Sequence, residues 1–187
     1  ENIAVLKSEL HRDPAFLDLQ FKDSFSGDQP FGKLLVKIKK EIIPFGVPQI
    51  NPAKMPAERL SARTLKAWLD EGRDILLLDT RNSFEVKLGT FKQALDFDIG
   101  QFRDFPKAAA QASASLKEKT VVTFCTGGIR CEKAAPYLLQ QGFKNVYQLD
   151  GGILKYFEEC GAAHYEGECF VFDERIALDA ELKPAKS

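Results

Sequence analysis

Val121-Val122-Thr123-Phe124-Cys125-Thr126-Gly127-Gly128-Ile129-Arg130 decides how this chain is read. The β-branched and aromatic run from Val121 to Phe124 lacks polar alternation, as expected of a strand buried on both faces. It ends at Cys125. Two glycines then let the backbone fold tightly, so that successive amide N–H groups turn inward. A helical pattern follows from Cys131 to Gln141, with Gly142 beyond it; Pro136 should kink that helix or shift its start. The helix start adds free N–H groups and the positive end of its dipole at the same point. Arg130 supplies a permanent forked cation. A cysteine at the mouth of such a cradle is expected to be a thiolate at neutral pH, and the thiolate is the nucleophile.

The flanking sequence repeats the theme. Ser61 caps a helix carrying Leu65, Trp68 and Leu69, and Gly72 closes it. Ile75-Leu76-Leu77-Leu78 is a second buried strand, ending in Asp79. Ala108 to Leu116 reads as one helix. Val146 to Leu149 is a third strand, followed by Asp150-Gly151-Gly152 and a short helix with Ile153, Leu154 and Phe157. Strand–helix alternation of this kind predicts an α/β fold, a parallel sheet with helices on both faces. Ligands of such sheets bind outside the carboxyl ends of the strands, where Asp79 and Cys125 both fall.

Residues 1–45 are different. Ile3, Leu6 and Leu10 keep helical spacing up to Asp13-Pro14, and 19–22 and 34–39 read as strands around a Ser26–Pro30 loop. One helix and two strands predict part of a small α+β, ferredoxin-like domain, too thin to bury a core alone. Pro44, Pro48, Pro52 and Pro56 then make 46–60 an extended linker. The catalytic domain is expected over 61–160, with a C-terminal extension over 161–187 whose last residues, from Glu181, form a free tail.

Composition narrows the function. The 187 residues are 44% hydrophobic and 28% charged, with 26 basic against 27 acidic side chains. A net charge of −1 gives no overall pull towards nucleic acid or anionic membrane, so such a partner needs a local patch. No apolar run approaches the length of a membrane span. Four cysteines without the density of a disulfide scaffold indicate a reducing cytoplasm. Two histidines at opposite ends of the chain, His11 and His164, and no Cys-x-x-Cys pair argue against a metal site. No cofactor signature is present. The chain opens at Glu1, which suggests sequence upstream of it.

Loop length separates two chemistries. Cysteine-dependent phosphatases use Cys-x5-Arg, a ring sized for a phosphoryl group. Here the spacing is Cys-x4-Arg and position 131 is Cys. The smaller ring suits a single sulfur atom carried on Cys125, so persulfide chemistry ranks above phosphatase chemistry.

With Asp79-Thr80-Arg81 after a strand and Gly151-Gly152 before the last helix, the Cys-x4-Arg loop resembles the rhodanese superfamily. Cys125 to Ala134, Gly151 to Tyr156 and Glu168 to Arg175 are similar to the bacterial tRNA uridine hydroxylases, and Thr90-Phe91-Lys92 and Val36 to Ile42 fit the same family. The resemblance covers nearly the whole chain. It implies oxygen-dependent conversion of the wobble uridine, position 34 of tRNA, to 5-hydroxyuridine, with the anticodon loop as partner, molecular oxygen as co-substrate and a persulfide on Cys125. It also implies an N-terminal domain with further strands upstream. Thr90 stands where simple sulfurtransferases often place a histidine, a departure that bears on ordinary thiosulfate chemistry.

On this reading Cys125 is the catalytic residue, and Thr126, Gly127, Gly128, Ile129 and Arg130 form the anion or persulfide loop. Asp79, Arg81, Glu85 and Cys131 are candidate supports. Asp79 and Glu85 either pair with Arg130 or Arg81 to hold the pocket or form surface pairs of little worth. Cys131 either resolves a persulfide as a disulfide or, the favoured alternative, is a buried first-turn residue facing away. Lys33, Lys37, Lys39 and Lys40 make either a phosphate-binding stripe on a strand or a solvated face. Cys160 and Cys169 suggest nothing. Two further functional readings stay open: a sulfurtransferase that takes sulfur from a donor such as thiosulfate through the same cysteine, and a non-catalytic module whose loop binds an anion or a partner protein.

Overall fold

The computed structural model describes residues 2–19, 21, 23, 27, 29–33 and 36–185. The chain divides into two compact units, Glu1–Leu34 and Leu35–Ser187. In the first, helix α1 (Asn2–His11) is followed by a 3-10 turn over Pro14–Phe16. Asp13 starts that turn by accepting the Ala15 N–H at 2.9 Å, which is why the helical pattern stops there. No residue of α1 is buried. Of the two strands expected here, Gln20, Lys22, Leu34 and Leu35 lie outside the described residues, as do Ser26 and Asp28 of the intervening loop. Leu19, Phe21 and residues 36–39 belong to no strand. The alternation that would align Lys37 and Lys39 on a strand face is therefore absent; Val36 and Ile38 are fully solvated instead.

The second unit carries β1 (Glu58–Leu60), α2 (Ala62–Asp70), β2 (Ile75–Asp79), α3 (Ser83–Val86), β3 (Gly89–Phe91) and β4 (Leu95–Asp96). Next come α4 (Phe105–Ala110), α5 (Ala114–Glu118), β5 (Thr120–Phe124), α6 (Cys131–Gln140) and β6 (Asn145–Leu149). Helix α7 (Gly152–Cys160) and three short strands, β7 (Tyr165–Gly167), β8 (Cys169–Phe170) and β9 (Ala177–Leu178), complete it. Five strands pair in the order β1-β6-β5-β2-β4, every pair parallel. Two antiparallel pairs, β3 with β7 and β8 with β9, lie outside that sheet.

Successive strand residues point to opposite faces, and the core divides accordingly. Val121 packs with Phe45, Phe105, Ala134 and Leu138 on one face. Val122 packs with Leu65, Phe91, Ile153 and Tyr156 on the other. Covering both faces with helices is what the unbroken apolar strands required. The expected linker over 46–60 is shorter than that: residues 44–56 form no helix or strand, but Glu58–Leu60 is β1, paired with β6 in the main sheet. The stretch also does more than connect: Phe45, expected in the first domain, and Ile50 are buried in the second unit, and Phe45 contacts the rings of Phe102, Phe105 and Tyr137.

Two further expectations need correction. Residues 108–116 are not one helix: α4 ends at Ala110, and Ser113 caps a new helix by accepting the Leu116 N–H. The C-terminal residues are not a free tail as far as 185. Ala185 N–H donates to Ala177 O at 2.9 Å, and Leu182 packs against the core; Lys186 and Ser187 lie outside the described residues.

Candidate active site

Strands β2 and β5 end side by side, with Asp79 opposite Phe124. Thr80 N–H and Oγ1 both donate to Phe124 O, at 2.9 and 3.0 Å, and tie the two strand ends together. Cys125 is the next residue. Its side chain lies at the floor of a cleft of about 380 Å³, within the size range of small-molecule sites.

The loop folds around the sulfur. Gly128 N–H donates to Cys125 Sγ at 3.1 Å, and Gly128 holds a φ of +92° that suits glycine. Behind the loop, the first turn of α7 donates outward to it: Ile153 N–H to Cys125 O at 2.9 Å and Leu154 N–H to Thr126 O at 3.1 Å. This approach requires Gly152. A Cβ there would sit 2.4 Å from Cys125 O and 2.8 Å from Gly128 N, and its φ is +64°.

Cys131, in the first turn of α6, does not face away. Its thiol lies 3.6 Å from Thr80 Oγ1, and its effect on the neighbouring Cys125 is the largest of those that lower the Cys125 pKa to about 6. Burial opposes the shift; the Arg130 charge and the backbone N–H groups of Arg130 and Cys131 add to it. Cys131 itself is pushed well above the usual thiol range, chiefly by burial and then by its neighbour. The two shifts run in opposite directions, which favours the thiolate on Cys125 and the thiol on Cys131.

The supporting charges are buried and sorted. Arg130 binds both carboxylate oxygens of Glu85, at 2.5 and 2.7 Å. Arg81 binds Asp79, with Nη2 to Oδ2 at 2.7 Å, and Thr90 Oγ1 donates to the same Oδ2 at 2.8 Å. All four charged side chains are almost wholly inaccessible, so neither pair is a surface pair. Arg81 also donates to Gly89 O, which joins the Asp79 cluster to β3.

The structure therefore brings together Cys125, the loop from Thr126 to Arg130, Glu85 and Cys131. Asp79 and Arg81 form a neighbouring cluster. Sequence reasoning missed other cleft residues: Ile43, Asn82, Gln101, Phe102, Arg103 and Phe172. They come from loops and a one-turn 3-10 helix (Phe102–Asp104) with no periodic signal; only Phe172 falls in a motif already singled out, Glu168 to Arg175. Among the described residues no group of histidine, cysteine and carboxylate side chains is arranged to hold a metal. No helix among them is long and apolar enough to cross a membrane.

Comparison with known proteins agrees with this architecture. Residues 61–159 match the rhodanese-like domain family. The chain is 56% identical over 177 residues to the tRNA uridine(34) hydroxylase of Paraburkholderia xenovorans, covering 92% of this chain and 62% of the relative. It is 52% identical over 190 residues to that of Burkholderia cenocepacia, covering 99% and 67%. The chain thus spans about three fifths to two thirds of the length of these curated relatives. Among solved structures, the rhodanese-like domain of an Anabaena protein is 21% identical, with a TM-score of 0.49 over 69% of this chain and 86% of that one. On its rhodanese-like domain and its identity to these relatives, the chain belongs to the tRNA uridine(34) hydroxylase family of rhodanese-domain proteins.

Proposed function

We propose that this chain carries the catalytic cysteine of an oxygen-dependent tRNA hydroxylase that forms 5-hydroxyuridine at position 34. The observation that carries the reading is the Cys125 sulfur, buried in the lining of an open cleft and accepting the Gly128 N–H at 3.1 Å, where its neighbours lower its pKa to about 6. A persulfide formed there carries its outer sulfur about 2 Å from Sγ. Amide donors and the paired Arg130 stabilise the negative charge. Residues 61–160 form the catalytic domain, and the extension over 161–187 contributes Phe172 to the cleft wall. The substrate uridine is unpaired in the anticodon loop and is splayed from its neighbours at modest cost. Molecular oxygen is the co-substrate, a sulfur donor loads Cys125, and the reaction takes place in the cytoplasm.

Nucleoside mass spectrometry of tRNA from cells lacking the gene tests this. Deletion should abolish 5-hydroxyuridine where no redundant route operates, and the wild-type gene, but not Cys125→Ser, should restore it. An unchanged level in the deletion strain overturns the proposal.

A rhodanese-type sulfurtransferase uses the same loop, and the amide-cradled sulfur favours it equally. Against it, Thr90 occupies the place of a common histidine and spends its hydroxyl on Asp79. Turnover of thiosulfate and cyanide that disappears in Cys125→Ser would support this second reading.

A further inference from the structure

Phe172 is two-thirds exposed, although burying a phenylalanine side chain is favourable. It forms part of the wall of the cleft that holds Cys125. An apolar ring left open beside a reactive group is a binding surface rather than a packing accident.

The ring is also held in place. Phe172 meets Phe170 edge to face, centroids 4.9 Å apart, and Phe170 meets Phe84 in the same way at 5.1 Å. The turn that presents it is tightly bonded. Val171 N–H donates to Ile176 O at 2.8 Å, and Asp173 binds Arg175 through its backbone N–H, Nε and Nη2. Ile176 closes the turn at a φ of +64°, a strained conformation for a β-branched residue. Strain of this kind persists where the surrounding structure enforces it, often beside a ligand. The Arg130 guanidinium lies 6.0 Å over the ring, so the aromatic surface and the cysteine loop are adjacent. Arg103, exposed on the same cleft wall, makes no ion pair among the described residues and leaves a cation for a phosphate.

We infer that Phe172 is the platform on which the base of the target nucleotide stacks beside Cys125. The inference rests on the tRNA reading above and adds to it the residue that receives the splayed base. Every base has a π-face, so an aromatic ring can hold it without hydrogen bonds, while the cysteine loop addresses its edge.

The test uses the complete protein and tRNA transcripts carrying uridine at position 34. Phe172→Ala and Phe172→Leu should each lose roughly tenfold to a hundredfold in kcat/KM, mostly through KM. Phe172→Tyr and Phe172→Trp should stay near wild type. Alkylation of Cys125 by iodoacetamide should proceed at the wild-type rate in all four, which shows an intact loop without reference to tRNA. With 2-aminopurine at position 34, binding to the wild type should quench the fluorescence and binding to Phe172→Leu should not. Full activity in Phe172→Leu, or equal quenching by Leu and Phe, overturns the stacking inference while the hydroxylase reading stands. A wild-type protein that neither binds nor modifies the transcript overturns both.

Discussion

Arg130 and Glu85, 45 residues apart, meet inside the protein through two N–H···O contacts of 2.5 and 2.7 Å. The cation beside Cys125 is thus already paired, and the Cys131 thiol outranks it among the effects that keep the sulfur ionised. Each of these contacts can be removed singly.

Glu85→Gln leaves a buried guanidinium without its counter-charge. Loss of one partner of a buried ion pair costs about 3–5 kcal/mol. Urea denaturation should show a loss of that size; a midpoint close to wild type would mean that the pair contributes little.

The pH dependence of Cys125 alkylation should follow its depressed pKa. The thiol loses its proton as pH rises through about 6, so the rate should rise through that point and level off by neutrality. A half-rise above pH 8 would place the group with free cysteine and remove the thiolate from the mechanism.

Cys131→Ala deletes the thiol that contributes most to the depressed pKa of Cys125. A hydrogen bond to a charged group is worth about 1.5–3 kcal/mol, so the alkylation midpoint should move upward by roughly one pH unit or more. Cys131→Ser retains a donor and should move it less. Equal curves for wild type and Cys131→Ala would show that the loop amides suffice.

Two glycines of the site should respond unequally to the same substitution. Gly152→Ala places a methyl group 2.4 Å from Cys125 O at a positive φ, and should cost about 2 kcal/mol or more while slowing alkylation. Gly127→Ala meets nothing within 4 Å and should change stability little. Thermal unfolding of both variants decides the point; similar midpoints would contradict the close packing of α7 on the loop.

Much of this was legible in the sequence because its signals are local. Ile75 to Leu78 and Val121 to Phe124 are continuous apolar runs, and the cysteine loop lies between strand and helix in one short stretch. What escaped depends on distant residues. Nothing near Gly89-Thr90-Phe91 announces its pairing with Tyr165-Glu166-Gly167. Nor does local sequence say that Glu85 chooses Arg130 while Asp79 chooses Arg81, since both assignments pair opposite charges. The prolines suggested an extended connector, but tertiary burial of Phe45 used that segment as part of the core. Helical spacing fixes where Cys131 lies on α6, not what the preceding loop folds against, so its influence on Cys125 is not legible locally.

The bonds from α7 to the loop have one more effect. A trans peptide unit is flat, with its oxygen and its hydrogen on opposite sides. Once Ile153 and Leu154 hold the oxygens of Cys125 and Thr126, the hydrogens of Thr126 and Gly127 must point the other way. The last helix of the parallel layer thereby orients the dipoles of a loop it does not belong to, and a preference for negative charge is established from the rear of the site before any substrate arrives.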